Sequence, residues 1–130
     1  MFLLRHRPVV FILVGSTAAL VHLLTVILLV EKVHLAPLVA NIGGWMCAFV
    51  FSYGGHRLLT FADHGAPVLQ SASRFLLLSA AGFAINESAS AVLLHTSHAP
   101  YYFLLAVILL CVAVMTYLLS RRWAFAGIRP

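Results

Sequence analysis

Four apolar runs, Val9–Val30, Leu35–Tyr53, Phe75–Leu94 and Tyr101–Leu119, take up most of this 130-residue chain. Runs of about 18 or more such residues predict membrane-spanning helices, since a rise of about 1.5 Å per residue carries each across a hydrocarbon core of about 30 Å. Little chain remains between them, so no soluble catalytic domain is expected. Composition excludes a water-facing fold. Charged residues make up 8% of the chain and hydrophobic ones 63%, with a mean hydropathy of +1.06, where a soluble domain carries about 25% charged residues. The basic stretch MFLLRHRP looks like the start of a signal peptide, but the 22-residue run after it exceeds the roughly 7–15 residues of a cleaved signal core. With three more runs following, it reads as a retained helix.

Charge placement sets the expected orientation. Arg5 and Arg7 precede the first run, Arg57 and Arg74 flank the loop between the second and third, and Arg121, Arg122 and Arg129 follow the fourth. The two opposite loops hold Lys32 beside Glu31, and otherwise histidines. The positive-inside rule then places both termini and the central loop in the cytoplasm. A basic balance confined to helix ends, net charge +5, speaks for topology and against nucleic acid as a partner.

The chain also repeats itself. SYGGHRLLTFA (52–62) and TYLLSRRWAFA (116–126) share Tyr, Arg, Phe and Ala at the same spacing, and an offset of 64 residues relates them. The same offset pairs Cys47 with Cys111, His34 with His98 and Phe11 with Phe75. A fixed period of this kind reads as a tandem duplication. The expected fold is therefore an all-α integral membrane protein, a single domain of four transmembrane helices arranged as two tandem parallel two-helix repeats. Repeat one covers about 9–62 and repeat two about 73–126. An even number of helices per unit gives both units the same orientation, so a pseudo-twofold axis along the membrane normal would relate them. Repeats of either orientation occur in transporters, where substrate is handled at the repeat interface.

Polar side chains are expensive in lipid, so each one inside a span asks for an explanation. Glu87 lies 13 residues after Arg74, roughly 20 Å along a helix axis and in the outer half of the bilayer. Asn86 beside it is the repeat partner of His22, and Asn41 enters the second span from the same side. His22, Asn41, Asn86 and Glu87 are thus expected at one level. Two readings stand: a wet path or polar head-group site, or an interhelical hydrogen-bonded clamp. At the other face, His56 and Arg57 end the second span, and Ser120, Arg121 and Arg122 end the fourth. If the helices continue, Tyr53, Arg57 and Phe61 share a face at i, i+4 and i+8, as do Tyr117, Arg121 and Phe125. Arginine's planar fork suits phosphate, so the two ends would make a clamp for a phosphorylated lipid. The other reading is an aromatic belt with snorkelling arginines. Gly43, Gly44, Gly54, Gly55 and Gly82 read as packing or bending positions. Cys47 and Cys111 lack metal or redox spacing, and the seven histidines are scattered. No catalytic residue, metal or cofactor is therefore assigned, and no enzyme is expected.

These stretches resemble the GtrA-like proteins, small four-helix bacterial membrane proteins. FILVGSTAALVH (11–22) is similar to the opening of that family's first helix and ANIGGWMCAFVFSYGGHRLLTF (40–61) to the end of its second. RFLLLSAAGFAIN (74–86) resembles the opening of the third, and LLSRRWAF (118–125) its arginine–arginine–tryptophan ending. The first copy departs from the pattern, with His56, Arg57, Leu58 and Leu59 where the family has Asn, Arg, Arg and Trp. His22 stands where an acid is common, and Leu105 at a position often basic. The resemblance implies a multi-pass protein of the cytoplasmic (inner) membrane that acts in cell-surface polysaccharide synthesis. It would flip polyprenyl-phosphate-linked sugars between leaflets. Arg57, Arg121, Arg122, His56, Tyr53 and Tyr117 would hold the phosphate or head group, while Glu87, Asn86, Asn41 and His22 would line the sugar path. Partners would be the sugar lipid and membrane lipids. Two alternatives remain open. One is a non-transporting accessory subunit that docks a polyprenyl-dependent membrane glycosyltransferase. The other is a small proton-coupled cation antiporter centred on Glu87. Homo-oligomerisation would suit so thin a bundle under any of them.

Overall fold

The computed structural model describes residues 7–60 and 68–123, with the side chains of all but residues 7, 8, 60, 68, 70, 71, 74 and 116–123. Its elements are α1 (Arg7–Glu31), α2 (Pro37–Gly55), a short π-helical segment (His56–Thr60), α3 (Val68–Thr96) and α4 (Tyr101–Trp123). Three stretches, Val9–Glu31, Pro37–Leu59 and Phe75–Thr96, are long and apolar enough to cross a membrane. The fourth helix has 23 residues, of which the described apolar part is Tyr101–Met115.

The helices run up, down, up and down, and each packs on the neighbour before and after it, with α4 returning to α1. Short connections enforce this antiparallel ring. After α1 the chain reverses through His34, which adopts a left-handed φ of 61°, a conformation histidine tolerates better than most side chains. Leu35 N–H then bonds back to Leu29 O at 3.1 Å, and Pro37 opens α2, its fixed φ suiting a first helical turn.

Burial is inverted relative to a soluble bundle. Polar His22, Asn41, His56, Asn86 and Ser90 are buried, while Leu13, Leu24, Val50, Leu77 and Leu110 lie more than half exposed. In water that distribution would sacrifice the main driving force for folding; in hydrocarbon the exposed leucines are at home, and buried polar groups hold helices together. Two exposed hydroxyls are satisfied within their own helix. Thr17 Oγ1 donates to Leu13 O at 2.8 Å, and Ser88 Oγ to Ala84 O at 2.7 Å, the back-bonding pattern one turn earlier.

Without a hydrophobic drive between helices, close approach decides the packing. The face of α2 toward α1 is small: Ala40 is fully buried, and Gly44 and Gly55 meet α1 directly. A Cβ on Gly44 would stand 2.5 Å from His22 Cδ2, 2.6 Å from Val26 Cγ2 and 2.9 Å from the carbonyl oxygen of His22. The last contact is backbone, so only a shift of α1 would relieve it. At Gly54 a Cβ would meet nothing within 4 Å.

One register expectation changes. Gly54 and Gly55, the poorest helix formers short of proline, end the α-helical turns, and His56–Thr60 winds as a π segment. Arg57 therefore does not follow Tyr53 at simple α-helical spacing. Phe61 and Phe125 lie outside the described residues. Gly44→Ala should destabilise the bundle by about 1–3 kcal/mol, the usual range for overpacking, whereas Gly54→Ala should be neutral. Thermal unfolding in detergent would show this, and equal melting temperatures would rule out the close α1–α2 approach.

Candidate functional site

Three helices deliver polar side chains to one point inside the bundle. His22 comes from the middle of α1, Asn41 from the second turn of α2, and Asn86, Glu87 and Ser90 from α3. Asn41 is the hub. Its Oδ1 lies 2.7 Å from His22 Nε2; an amide oxygen only accepts, so Nε2 carries the hydrogen and donates. Its Nδ2 donates to Asn86 Oδ1 at 2.7 Å and to Glu87 Oε2 at 2.5 Å. Ser90 Oγ approaches Asn86 Oδ1 at 3.5 Å. Both hydrogens of the Asn41 amide are thus used, and its oxygen is occupied. No buried side-chain nitrogen or oxygen among the described residues lacks a partner.

A separation of 64 residues relates members of this hub. His22 and Asn86, partners across 64 residues, bond to the same asparagine from opposite sides. Asn41's own partner is Leu105, also buried, so α4 sends no hydrogen bond into the layer among the described residues. The carboxylate of Glu87 reaches His22 through Asn41 and not directly. Ser90 was not singled out from the sequence, although it follows Asn86 by four residues on one helix face.

Little space adjoins the layer. The cavity beside it, bounded by Asn41, Ser90, Val26, Tyr101, Leu104 and Leu105, measures about 10 Å³. That is space for about one water, against the roughly 300–1,000 Å³ of a small-molecule site. In this conformation the four side chains join three helices through hydrogen bonds, and the cavity beside them is too small for a sugar.

The second cluster lies where α1 begins and α2 ends, 16 residues along from Asn41, about 24 Å at helical rise. His56 does not sit open at the helix end. It is buried between Phe11, 4.6 Å away and stacked, and Phe75, 5.6 Å away and edge-on. Those two phenylalanines stand 64 residues apart. Tyr53 stacks on Phe49 at 6.1 Å and meets Phe75 at 6.0 Å. Arg57 follows, half-buried, in the π segment. Tyr117, Arg121 and Arg122 belong to the last turns of α4, at the same end of the antiparallel ring; their side chains lie outside those described. Among the described residues no group of three or more His, Cys, Asp or Glu is arranged for a metal.

Asn41→Leu should be the most damaging change in the layer. It removes three hydrogen bonds, each worth about 0.6–1.7 kcal/mol between membrane helices, or about 2–5 kcal/mol in sum. Glu87→Gln touches one bond and keeps an acceptor, so its loss should stay below about 2 kcal/mol. Reversible unfolding in mixed micelles would compare them, and equal losses would show that Asn41 is not the hub.

The family model described as GtrA/DPMS, transmembrane domain, matches residues 10–125 of the chain. No curated protein and no solved structure matches it.

Proposed function

We propose a function from one premise: this chain belongs to the GtrA/DPMS transmembrane-domain family. It moves a polyprenyl-phosphate-linked monosaccharide across the cytoplasmic membrane for cell-surface polysaccharide synthesis, as a carrier that makes and breaks no covalent bond. All four helices span, as two tandem repeats with both termini in the cytoplasm. The observation that carries this reading is the buried hub at Asn41. A stability-only bundle needs no carboxylate there, and an exchangeable network of amide, imidazole and carboxyl groups is what sugar hydroxyls can replace bond for bond.

In this scheme Arg57, Arg121 and Arg122 hold the phosphate at the cytoplasmic end. Guanidinium groups grip phosphate in bidentate fashion, and Tyr53 and His56 brace that end through the rings around Phe75. The hydrogen-bonded network at Asn41 serves in this scheme as the closed state. His22, Asn41, Asn86 and Glu87 bond to one another until the sugar arrives, and opening exchanges those bonds for bonds to its hydroxyls. Because the exchange is nearly even in hydrogen bonds, the barrier need not be prohibitive.

Binding of polyprenyl-phosphate glucose to purified protein in nanodiscs tests the phosphate site. Arg57→Gln/Arg121→Gln should weaken it at least tenfold while the protein remains folded in the membrane. Unchanged binding by the double variant would sink the phosphate clamp, and binding by neither protein would move the accessory-subunit reading forward.

A further inference from the structure

The offset of 64 carries the α2–α3 seam onto the α4–α1 seam, yet the two are built differently. Between α2 and α3 the seam is full of rings. Trp45 stacks on Phe83 at 4.8 Å and donates its indole N–H to Ser79 Oγ at 2.8 Å, while Phe49 lies 5.8 Å from Phe75. Moved by 64 residues, Trp45 becomes Leu109, Phe49 becomes Ala113, Phe83 becomes Ala19 and Ser79 becomes Gly15. Those four residues line an apolar groove of about 590 Å³ between α1 and α4, which runs from Phe11 to Leu23. The groove is the space that the aromatic rings fill on the opposite side of the bundle.

We propose that this groove seats the isoprenoid tail of the polyprenyl lipid, and the proposal rests on the function proposed above. Its lining and its two ends select the occupant. Phe11 to Leu23 covers about 18 Å of helix, and along that length the groove is open on one side and lined by apolar side chains save Ser16. An extended hydrocarbon chain can lie along it. The two ends match an amphipathic lipid. Phe11, at one end of the groove, stacks on His56, and Arg57 follows His56 in the chain. Leu23, at the far end, follows His22 of the polar layer. A tail held along α1 therefore keeps its head within reach of both polar clusters, and the asymmetry of the seams directs the lipid to one side of the bundle.

The test refills the groove with the rings of the other seam. Ala19→Phe/Ala113→Phe places phenylalanine where Phe83 and Phe49 stand in the α2–α3 seam, and Leu77→Phe, on an α3 residue 71% exposed, serves as the control for added bulk. Binding is measured in nanodiscs with long-chain polyprenyl-phosphate glucose and with a two-isoprene analogue of the same head group. The filled variant should bind the short analogue as the unmodified protein does and the long one at least tenfold more weakly, with Leu77→Phe unchanged. A retained preference for the long tail would overturn the proposal. So would loss of an oligomer in the filled variant with tail preference intact, which would assign the groove to a second copy. A diazirine-bearing polyprenol without phosphate, cross-linked to the unmodified protein and mapped by mass spectrometry, separates the two readings and needs no variant. Labelling of the α1–α4 groove without any phosphate-dependent binding would retain the groove and discard the proposed function. Phosphate-dependent binding with labelling elsewhere would do the reverse.

Discussion

The side-chain amide of Asn41 is the interaction on which the rest of this bundle depends. A hydrocarbon solvent offers polar atoms nothing, and each one left alone costs several kcal/mol. Polar residues on three helices must therefore find one another, and an asparagine that accepts once and donates twice joins all three. Their meeting fixes the register of α1, α2 and α3 together. The fourth helix takes no part in it among the described residues. It is held by apolar contacts around Leu105 and Ile108 and, near its start, by Tyr101 O–H donating to Glu31 Oε1 at 2.8 Å.

That division explains why the bundle is tight on one side and open on the other. Between α1 and α2, Gly44 and Gly55 let backbones approach until no Cβ would fit. Between α2 and α3, stacked rings fill the seam. Between α1 and α4, small side chains meet without rings, and a groove remains. In water such a groove would collapse or recruit a partner; in lipid a hydrocarbon chain fills it without loss. Membrane helices are selected by shape and hydrogen bonding more than by burial of apolar area, so a chain can keep an unfilled seam at little expense in stability.

The proposed function draws on the separation of two polar levels. Asn41 and Arg57 lie 16 residues apart along α2 and the π segment, about 24 Å at helical rise and most of the thickness of a hydrocarbon core of about 30 Å. Between them the bundle offers its interior, which the hub closes, and its groove, which is open. A lipid whose head must cross while its tail stays in the membrane needs both a polar contact at each level and an apolar track beside them. The proposed carrier role and the proposed tail site rest on that common geometry.

Much of this was legible in the sequence, because depth in a membrane is a one-dimensional property. Apolar runs about 20 residues long mark helices, and counting residues from a charged end at a fixed rise gives each polar side chain its level. In that way His22, Asn41, Asn86 and Glu87 could be placed at one height before any contact was known. Who bonds to whom is a question of azimuth and of helix order around the ring, and one chain's pattern does not carry it. Only the tertiary structure made Asn41 the hub, added Ser90, and buried His56 between Phe11 and Phe75 when it had been expected at the head-group surface. The π turn after Gly55 and the α1–α4 groove belong to the same class. The sequence alone determined which residues share a level, since helical rise is the same in every chain; the tertiary structure decided which of them touch, since that depends on how closely each pair of helices can approach.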